Sequence, residues 1–279
     1  GKMFLAATWS SNIQLRSTEP GTRVLKTLTE HNRTVHDAVF SPNGDTILSG
    51  SADHSLKLWA CDTGACIRTF SVHYAAVYSV AFNPKNNGTC LSGSGDQTCI
   101  LWSVETGQAL RKFRGSRMPV FSIAFHPQGD MFVSAGGDAV IRLWSVEQNA
   151  QPIKEFRGHK LAVQTVAISP DGRNILSGSD DKTVQMWPTA PTSGTTVTST
   201  GFDVGGNVLD AAFSPDGSVI VCGAAHKVQV RSVATRTLLK TLEGHRNGVS
   251  SVAFSPKGDN ILSACLKGQL KLWAICTGD

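Results

Sequence analysis

Serine, histidine and aspartate recur in this chain at fixed distances from a tryptophan, and those three residue types are the parts of an acyl-transfer triad. A serine stands ten residues before the tryptophan and an aspartate six before it, as in Ser49, Asp53 and Trp59. A histidine follows a glycine ahead of the strand pattern, as in Gly158-His159 and Gly244-His245. The aspartate accepts from one imidazole nitrogen. The serine hydroxyl donates to the other, and the serine oxygen accepts the indole N–H. That closed network satisfies every member once buried. It also occupies the serine that a hydrolase needs as its nucleophile, and it recurs where a catalytic triad is needed once. No G-x-S-x-G elbow accompanies it and no oxyanion donor can be named. The chain has no phosphate-binding P-loop, and its histidines and cysteines do not cluster at zinc spacings. His36, His54 and His126 are isolated and read as solvated side chains. The reading is therefore non-catalytic, with no cofactor and no metal.

The elements that carry these residues are short strands. Leu48 to Ser51 reads as a strand, Asp53 and His54 as a tight turn, and Leu56 to Trp59 as a second strand. Copies end at Trp102, Trp144, Trp187 and Trp273, and weaker ones at Arg16 and Arg231. Successive endpoints lie 42 to 44 residues apart, the period of four-stranded propeller blades. Blade two shows the pattern: an inner strand at Val35 to Phe40, a turn at Ser41 to Gly44, strands at Thr46 to Ser51 and Ser55 to Trp59, and an outer strand at Cys66 to Phe70. Proline second and glycine fourth suit the type I turn. Inner-strand apolar residues are spaced three and then two, as in Val77, Val80 and Phe82. That spacing predicts a bulge just after the first valine. Outer strands carry Lys26, Arg68, Arg111, Lys112, Lys154 and Lys240, read as guards against edge pairing. The Thr/Ser/Gly/Pro-rich stretch from Pro188 to Gly206 reads as a loop with a weak strand at Thr195 to Thr198.

Composition narrows the classes further. Apolar residues make up 41% of the 279-residue chain, enough for a core and against global disorder. The net charge of +5 is mild and permits a nucleic-acid or acidic-protein partner without arguing for either; nucleic acid is read as the unlikely one. Seven cysteines, an odd number with no C-x-x-C pair, fit buried free thiols in a reducing compartment. No apolar run approaches the roughly 20 residues of a membrane span.

Together, the repeat spacing, the Gly-His pair, the Ser-Pro-x-Gly turn, the serine, the aspartate and the tryptophan resemble the WD40 repeat family over essentially the whole chain. The aspartate that usually follows the tryptophan is missing: Ala60, Ser103, Ser145, Pro188 and Ala274 stand there. The resemblance implies an all-β, seven-bladed propeller of four-stranded antiparallel blades, a single domain over 1–279. The family's buried tetrad carries over in full three times: His31, Ser49, Asp53, Trp59; His73, Ser92, Asp96, Trp102; and His159, Ser177, Asp181, Trp187. In blade four Ser116 replaces the histidine, and in blade seven Lys267 replaces the aspartate. Those two blades are expected to be softer. The implied function is a non-enzymatic scaffold or adaptor for protein or peptide partners within a larger complex, intracellular and cytoplasmic or nuclear. A nucleic-acid-associated propeller using a basic surface is the alternative, and a propeller enzyme the second.

The ends of the chain and one face carry further expectations. Gly1 aligns with the turn glycine Gly44, so blade one lacks its inner strand, and the last blade lacks its outer one. By analogy with the repeat length, the chain reads as an excerpt missing about 25–30 residues upstream. The alternative is a six-bladed ring closed by Val24 to Leu28. Within a blade the histidine loop and the aspartate turn share one end. Two positions beside them face outward: the bulge residue (His36, Tyr78, Phe121, Gln164, Leu209, Ser250) and the residue before the tetrad aspartate (Trp9, Ala52, Gly95, Gly137, Asp180, Ala225, Leu266). In the family these positions often contact partners. Trp9, His36, Tyr78 and Phe121 form an aromatic arc beside small residues, with Arg33, Arg117 and Met118 as its rim. Gln164 is a further candidate, and Asp180 offers a basic group a partner from blade five. Together they are the candidate partner-binding residues.

Overall fold

The computed structural model describes residues 3–7, 11–19, 23–148, 150–190 and 199–275, and every regular element in them is a β-strand. Seven antiparallel sheets follow one another as the blades of a β-propeller, five with four strands and the first and last with three. Inner strands are Val35–Phe40, Val77–Phe82, Val120–Phe125, Val163–Ile168, Val208–Phe213 and Val249–Phe254. Second strands are Met3–Ala7, Thr46–Ser51, Thr89–Ser94, Met131–Gly136, Asn174–Ser179, Val219–Ala224 and Asn260–Cys265. Third strands are Ile13–Ser17, Leu56–Ala60, Thr98–Ser103, Val140–Ser145, Thr183–Pro188, Lys227–Ser232 and Leu270–Ala274. Outer strands are Val24–Leu28, Cys66–Phe70, Ala109–Arg114, Lys154–Arg157, Thr200–Asp203 and Leu238–Glu243.

The six-bladed alternative is overturned. Met3–Ala7 pairs with Ile13–Ser17, which pairs with Val24–Leu28, so these residues form a sheet of their own. The weak strand of blade five is Thr200–Asp203, beyond the expected Thr195 to Thr198, which fall outside the described residues. Phe202 anchors it, with the Arg231 guanidinium 4.3 Å above its ring. The chain divides into two compact units, 1–134 with 143–154 and 135–142 with 155–279.

Packing in the first unit centres on the repeat tryptophans. Trp59 sits among Ile13, Leu28, Val35 and Ile47, and Trp102 among Leu48, Leu56, Phe70 and Val77. Burying each large apolar side chain stabilises by roughly 1.5–3 kcal/mol. The second unit has its own core around Val221, Val228, Leu242, Val249 and Ile261. Cys90 and Cys222 are completely buried in second strands, and all six described cysteines are free thiols.

The bulge falls where the apolar spacing predicts it. Pairing with the second strand shifts between Val35 and Asp37, Val77 and Ser79, Val163 and Thr165, and Val249 and Ser251. Val77, Val120 and Val208 are each seated on the glycine of the preceding blade's Ser-Gly-Ser segment. A β-carbon on Gly50 would stand 2.7 Å from Val77 Cγ1, and one on Gly93 would stand 2.9 Å from Val120 Cγ1. The repeated glycine is thus a packing requirement that fixes where Tyr78 and Phe121 emerge.

Two devices tie consecutive blades, the first in both units and the second in the first unit. The residue after the bulge is polar and reaches the next inner strand. Asp37 accepts the Val80 N–H at 2.9 Å, and Ser79 accepts that of Ile123 at 3.3 Å. In the second unit Asp210 accepts from Val252 N–H (2.8 Å), Ser251 (2.9 Å) and Thr165 (3.2 Å). At the outer edge, Lys26 donates to the Cys61 carbonyl at 3.2 Å, Arg68 to that of Thr106 at 3.2 Å, and Arg111 to that of Gln148. These three cations therefore clasp the next blade, which corrects their reading as edge guards. Gly107 lets Arg68 pass, since its missing β-carbon would lie 2.8 Å from Arg68 Cδ.

Candidate functional site

The polar constellation assembles as the residue types dictate. In blade two His31 Nδ1–H donates to Asp53 at 2.7 Å, Ser49 Oγ–H to His31 Nε2 at 2.7 Å, and Trp59 Nε1–H to Ser49 at 2.8 Å. In blade three the same three distances among His73, Asp96, Ser92 and Trp102 are 2.8, 2.7 and 2.8 Å. In blade five, among His159, Asp181, Ser177 and Trp187, they are 2.9, 2.7 and 2.9 Å. Each aspartate also accepts the backbone N–H of the residue after the histidine, from Asn32, Tyr74 and Lys160. A further pair of bonds comes from Ser55, Thr98 and Thr183.

The electrostatics follow from that geometry. Burial raises the Asp53 carboxyl, but hydrogen bonds from Ser55, His31 and the Asn32 N–H outweigh it and hold the pKa at about 2. Asp181 is likewise held at about 2, with Thr183, the Lys160 N–H and His159 opposing burial. Burial pushes the His31 and His159 pKa values down against the pull of their aspartates, so both rings stay neutral. The three tetrad serines have no exposed surface, and each already accepts from a tryptophan and donates to a histidine. They cannot attack a substrate, so these triads are structural.

Blades four and seven differ from one another. In blade four Trp144 still donates to Ser134 at 2.8 Å. Asp138 is not stranded by the loss of histidine: the almost fully buried Arg142 reaches it at 2.8 Å and also donates to Glu155 at 3.0 Å. The expectation of a soft blade four is corrected by that pairing. In blade seven Ser263 donates to His245 Nε2 at 2.7 Å and accepts from Trp273 at 2.8 Å. No acceptor lies within hydrogen-bonding distance of His245 Nδ1 among the described residues.

The bulge residues of the first unit form a continuous row. The His36 and Tyr78 ring centroids are 4.9 Å apart, and Tyr78 meets Phe121 edge to face at 5.3 Å. His36 is exposed, whereas Tyr78 and Phe121 are half-buried because the rings cover one another, so the arc is less open than expected. Gly95 lies beneath Tyr78, its missing β-carbon 3.3 Å from Cε2. Arg33, Arg117 and Met118 are exposed on the entering loops. Trp9 lies outside the described residues. In the second unit Gln164 donates to Asp180 at 2.7 Å and Asn207 donates to it at 3.3 Å. Tyr74 was not among the sequence candidates. It is 80% exposed on the loop carrying His73, with the Lys112 ammonium 5.2 Å from its ring centre. An aromatic directly after a tetrad histidine was the available signal.

No group of three or more histidine, cysteine, aspartate or glutamate side chains among the described residues is arranged to hold a metal ion. No helix among them is long and apolar enough to cross a membrane.

Comparison with known proteins matches residues 22–60, 64–103, 107–145, 150–188 and 236–274 to the family model "WD domain, G-beta repeat", well over half of the chain. Pre-mRNA-processing factor 17 of Mus musculus is 34% identical over 84 residues, 30% of this chain and 14% of the relative. The transcriptional corepressor LEUNIG_HOMOLOG of Arabidopsis thaliana is 34% identical over 86 residues, 30% of this chain and 11% of the relative. Nuclear distribution protein PAC1 of Arthroderma otae is 32% identical over 91 residues, 29% of this chain and 20% of the relative. The chain thus aligns with no more than a fifth of the length of these three relatives.

Proposed function

Because the chain belongs to the WD40 repeat family, we propose that it is a non-catalytic scaffold that docks a peptide or protein segment on the face bearing its tetrad loops. The row His36, Tyr78 and Phe121 carries this reading. Three aromatic rings in a contiguous row, Tyr78 lying over a glycine, have the composition of an interface anchor. Tyr78 and Phe121 are the central anchors, and Arg33 and Arg117 form the polar rim. Gln164 and Asp180 offer a separate polar contact in the second unit. The relatives' names speak of pre-mRNA processing, transcriptional corepression and nuclear distribution, which suits a platform reused in different assemblies. An intracellular setting, nuclear or cytoplasmic, belongs to the same proposal.

The test compares the proteins retained by wild type, by Tyr78→Ala with Phe121→Ala, and by Lys154→Glu with Lys240→Glu on the outer strands. Quantitative mass spectrometry reads the bound proteins, and thermal unfolding checks each fold. The first pair should fold and lose partners that the second retains. The reverse pattern overturns the reading.

A further inference from the structure

Blade seven holds three members of a four-member network in their usual places. His245 is 6% exposed, Ser263 is buried, and both remaining bonds are formed. With Ser263 accepting from Trp273 and donating to Nε2, as the serines of the complete blades do, the neutral ring carries its proton on Nδ1, which makes Nδ1–H a buried donor. It has no acceptor within hydrogen-bonding distance among the described residues. Burial and then the Lys271 charge lower the pKa of this ring, against a raising contribution from the Gln269 side chain.

The three complete blades show what belongs there. In each, a carboxylate oxygen lies 2.7 to 2.9 Å from Nδ1 and accepts the next residue's N–H at 2.9 to 3.2 Å. Those aspartates are 6 to 9% exposed, just beneath the surface. In blade seven Lys267 stands in the aspartate's place and Arg246 in that of Asn32, Tyr74 and Lys160. Both are exposed, as are Leu266, Gly268 and Gln269 around them, so the position opens to solvent. The Lys271 ammonium lies 5.3 Å from the Trp273 ring centre on the same blade. The result is a buried hydrogen-bond donor that feels the Lys271 charge, beneath exposed loop positions that carry Arg246 and Lys267. An unsatisfied buried donor is costly, and a charged acceptor gives the strongest bond to it.

We propose that this vacant tetrad position binds a carboxylate carried by an acidic segment of a partner, which takes the place that Asp53, Asp96 and Asp181 hold in their own blades. The carboxylate accepts from His245 Nδ1–H, while Lys267 and Arg246 balance its charge. The site lies wholly in the second unit and stands independently of the aromatic row.

The test follows the histidine ring nitrogens of the full chain by long-range proton–nitrogen NMR. Sodium acetate is titrated against sodium chloride at equal ionic strength, with inorganic phosphate as a separate arm. Acetate should shift the His245 Nδ1 resonance saturably and leave His159 unmoved. Lys267→Asp supplies the carboxylate from the chain itself and should abolish the response while raising the urea midpoint. Should that variant not fold, Asp181→Ala opens the same vacancy in blade five and should confer acetate sensitivity on His159. A hexaglutamate peptide should saturate the shift at a concentration about tenfold below acetate's, because neighbouring carboxylates engage the flanking cations. A His245 resonance indifferent to acetate, or a Lys267→Asp protein as responsive as wild type, overturns the proposal. A response to phosphate alone overturns the carboxylate assignment. A peptide no better than acetate overturns the assignment to a partner segment.

Discussion

The Asp37 carboxylate accepts the backbone N–H of Val80, 43 residues further along the chain, at 2.9 Å. One inner strand is thereby held to the next at the residue just past each bulge. Removing the acceptor strands a backbone donor between two blades. Asp37→Ala should lower stability by about 1–3 kcal/mol, and Asp37→Asn, which keeps an oxygen there, by clearly less. Urea midpoints of the two variants decide, and equal losses would show that the bond contributes nothing.

Asp181 satisfies four donors, whereas Lys267 at the equivalent position accepts none. Asp181→Ala should cost about 1–3 kcal/mol, and Lys267→Ala should change little. Equal shifts of the urea midpoint would refute the difference.

Stability should decline with acid in two stages. The folded His31 and His159 pKa values lie below the ordinary 6.5, so the unfolded chain binds protons first and stability falls as pH drops below about 6.5. The folded Asp53 and Asp181 pKa values are about 2 against an ordinary 3.8. Their contribution is complete above about pH 4 and is lost between about 4 and 2, on the order of 1–2 kcal/mol for each aspartate. Asp210 runs the other way, because loss of water around it raises its pKa despite four hydrogen bonds. Its contribution is complete at low pH and is lost as pH rises through the folded value. A urea midpoint that stays flat until pH falls below about 2 would contradict the tetrad assignment.

Gly93→Ala tests the seat beneath the aromatic row. The added carbon would stand 2.9 Å from Val120 Cγ1 and 3.0 Å from Ile123 Cγ2. Overpacking of this kind costs about 1–3 kcal/mol. Val120 must move and carry Phe121 with it, so the Phe121 ring resonances should shift along with the urea midpoint. An unchanged midpoint would mean that the second strand yields freely.

What was legible in the sequence was whatever repeats at a fixed offset. The tetrads of His31, His73 and His159 follow from donor and acceptor arithmetic once the strands are adjacent. The bulges follow from a three-then-two apolar spacing that no flat strand can produce. Arg142 was not legible, because rescuing Asp138 depends on its facing that turn from the third strand, and a cation there is not a repeat feature: its counterparts are Lys57, Ile100, Gln185 and Lys271. The clasps of Lys26, Arg68 and Arg111 depend on the distance between blades, which one blade's sequence does not encode. The mutual cover of Tyr78 and Phe121 has the same origin. Thr200–Asp203 was hidden by a composition that favours turns, and Phe202 is what pins it.

The fully buried thiols of Cys90 and Cys222 give the molecule an intrinsic clock. Burial pushes the Cys222 pKa up to about 12 and that of Cys90 far above the ordinary thiol range, so neither is a nucleophile while its blade is closed. An alkylating reagent can then react with them only during excursions in which the second strand parts from its neighbours. Cys90 lies in one compact unit and Cys222 in the other. The two labelling rates therefore time the breathing of each half separately, in the native chain and without an attached probe.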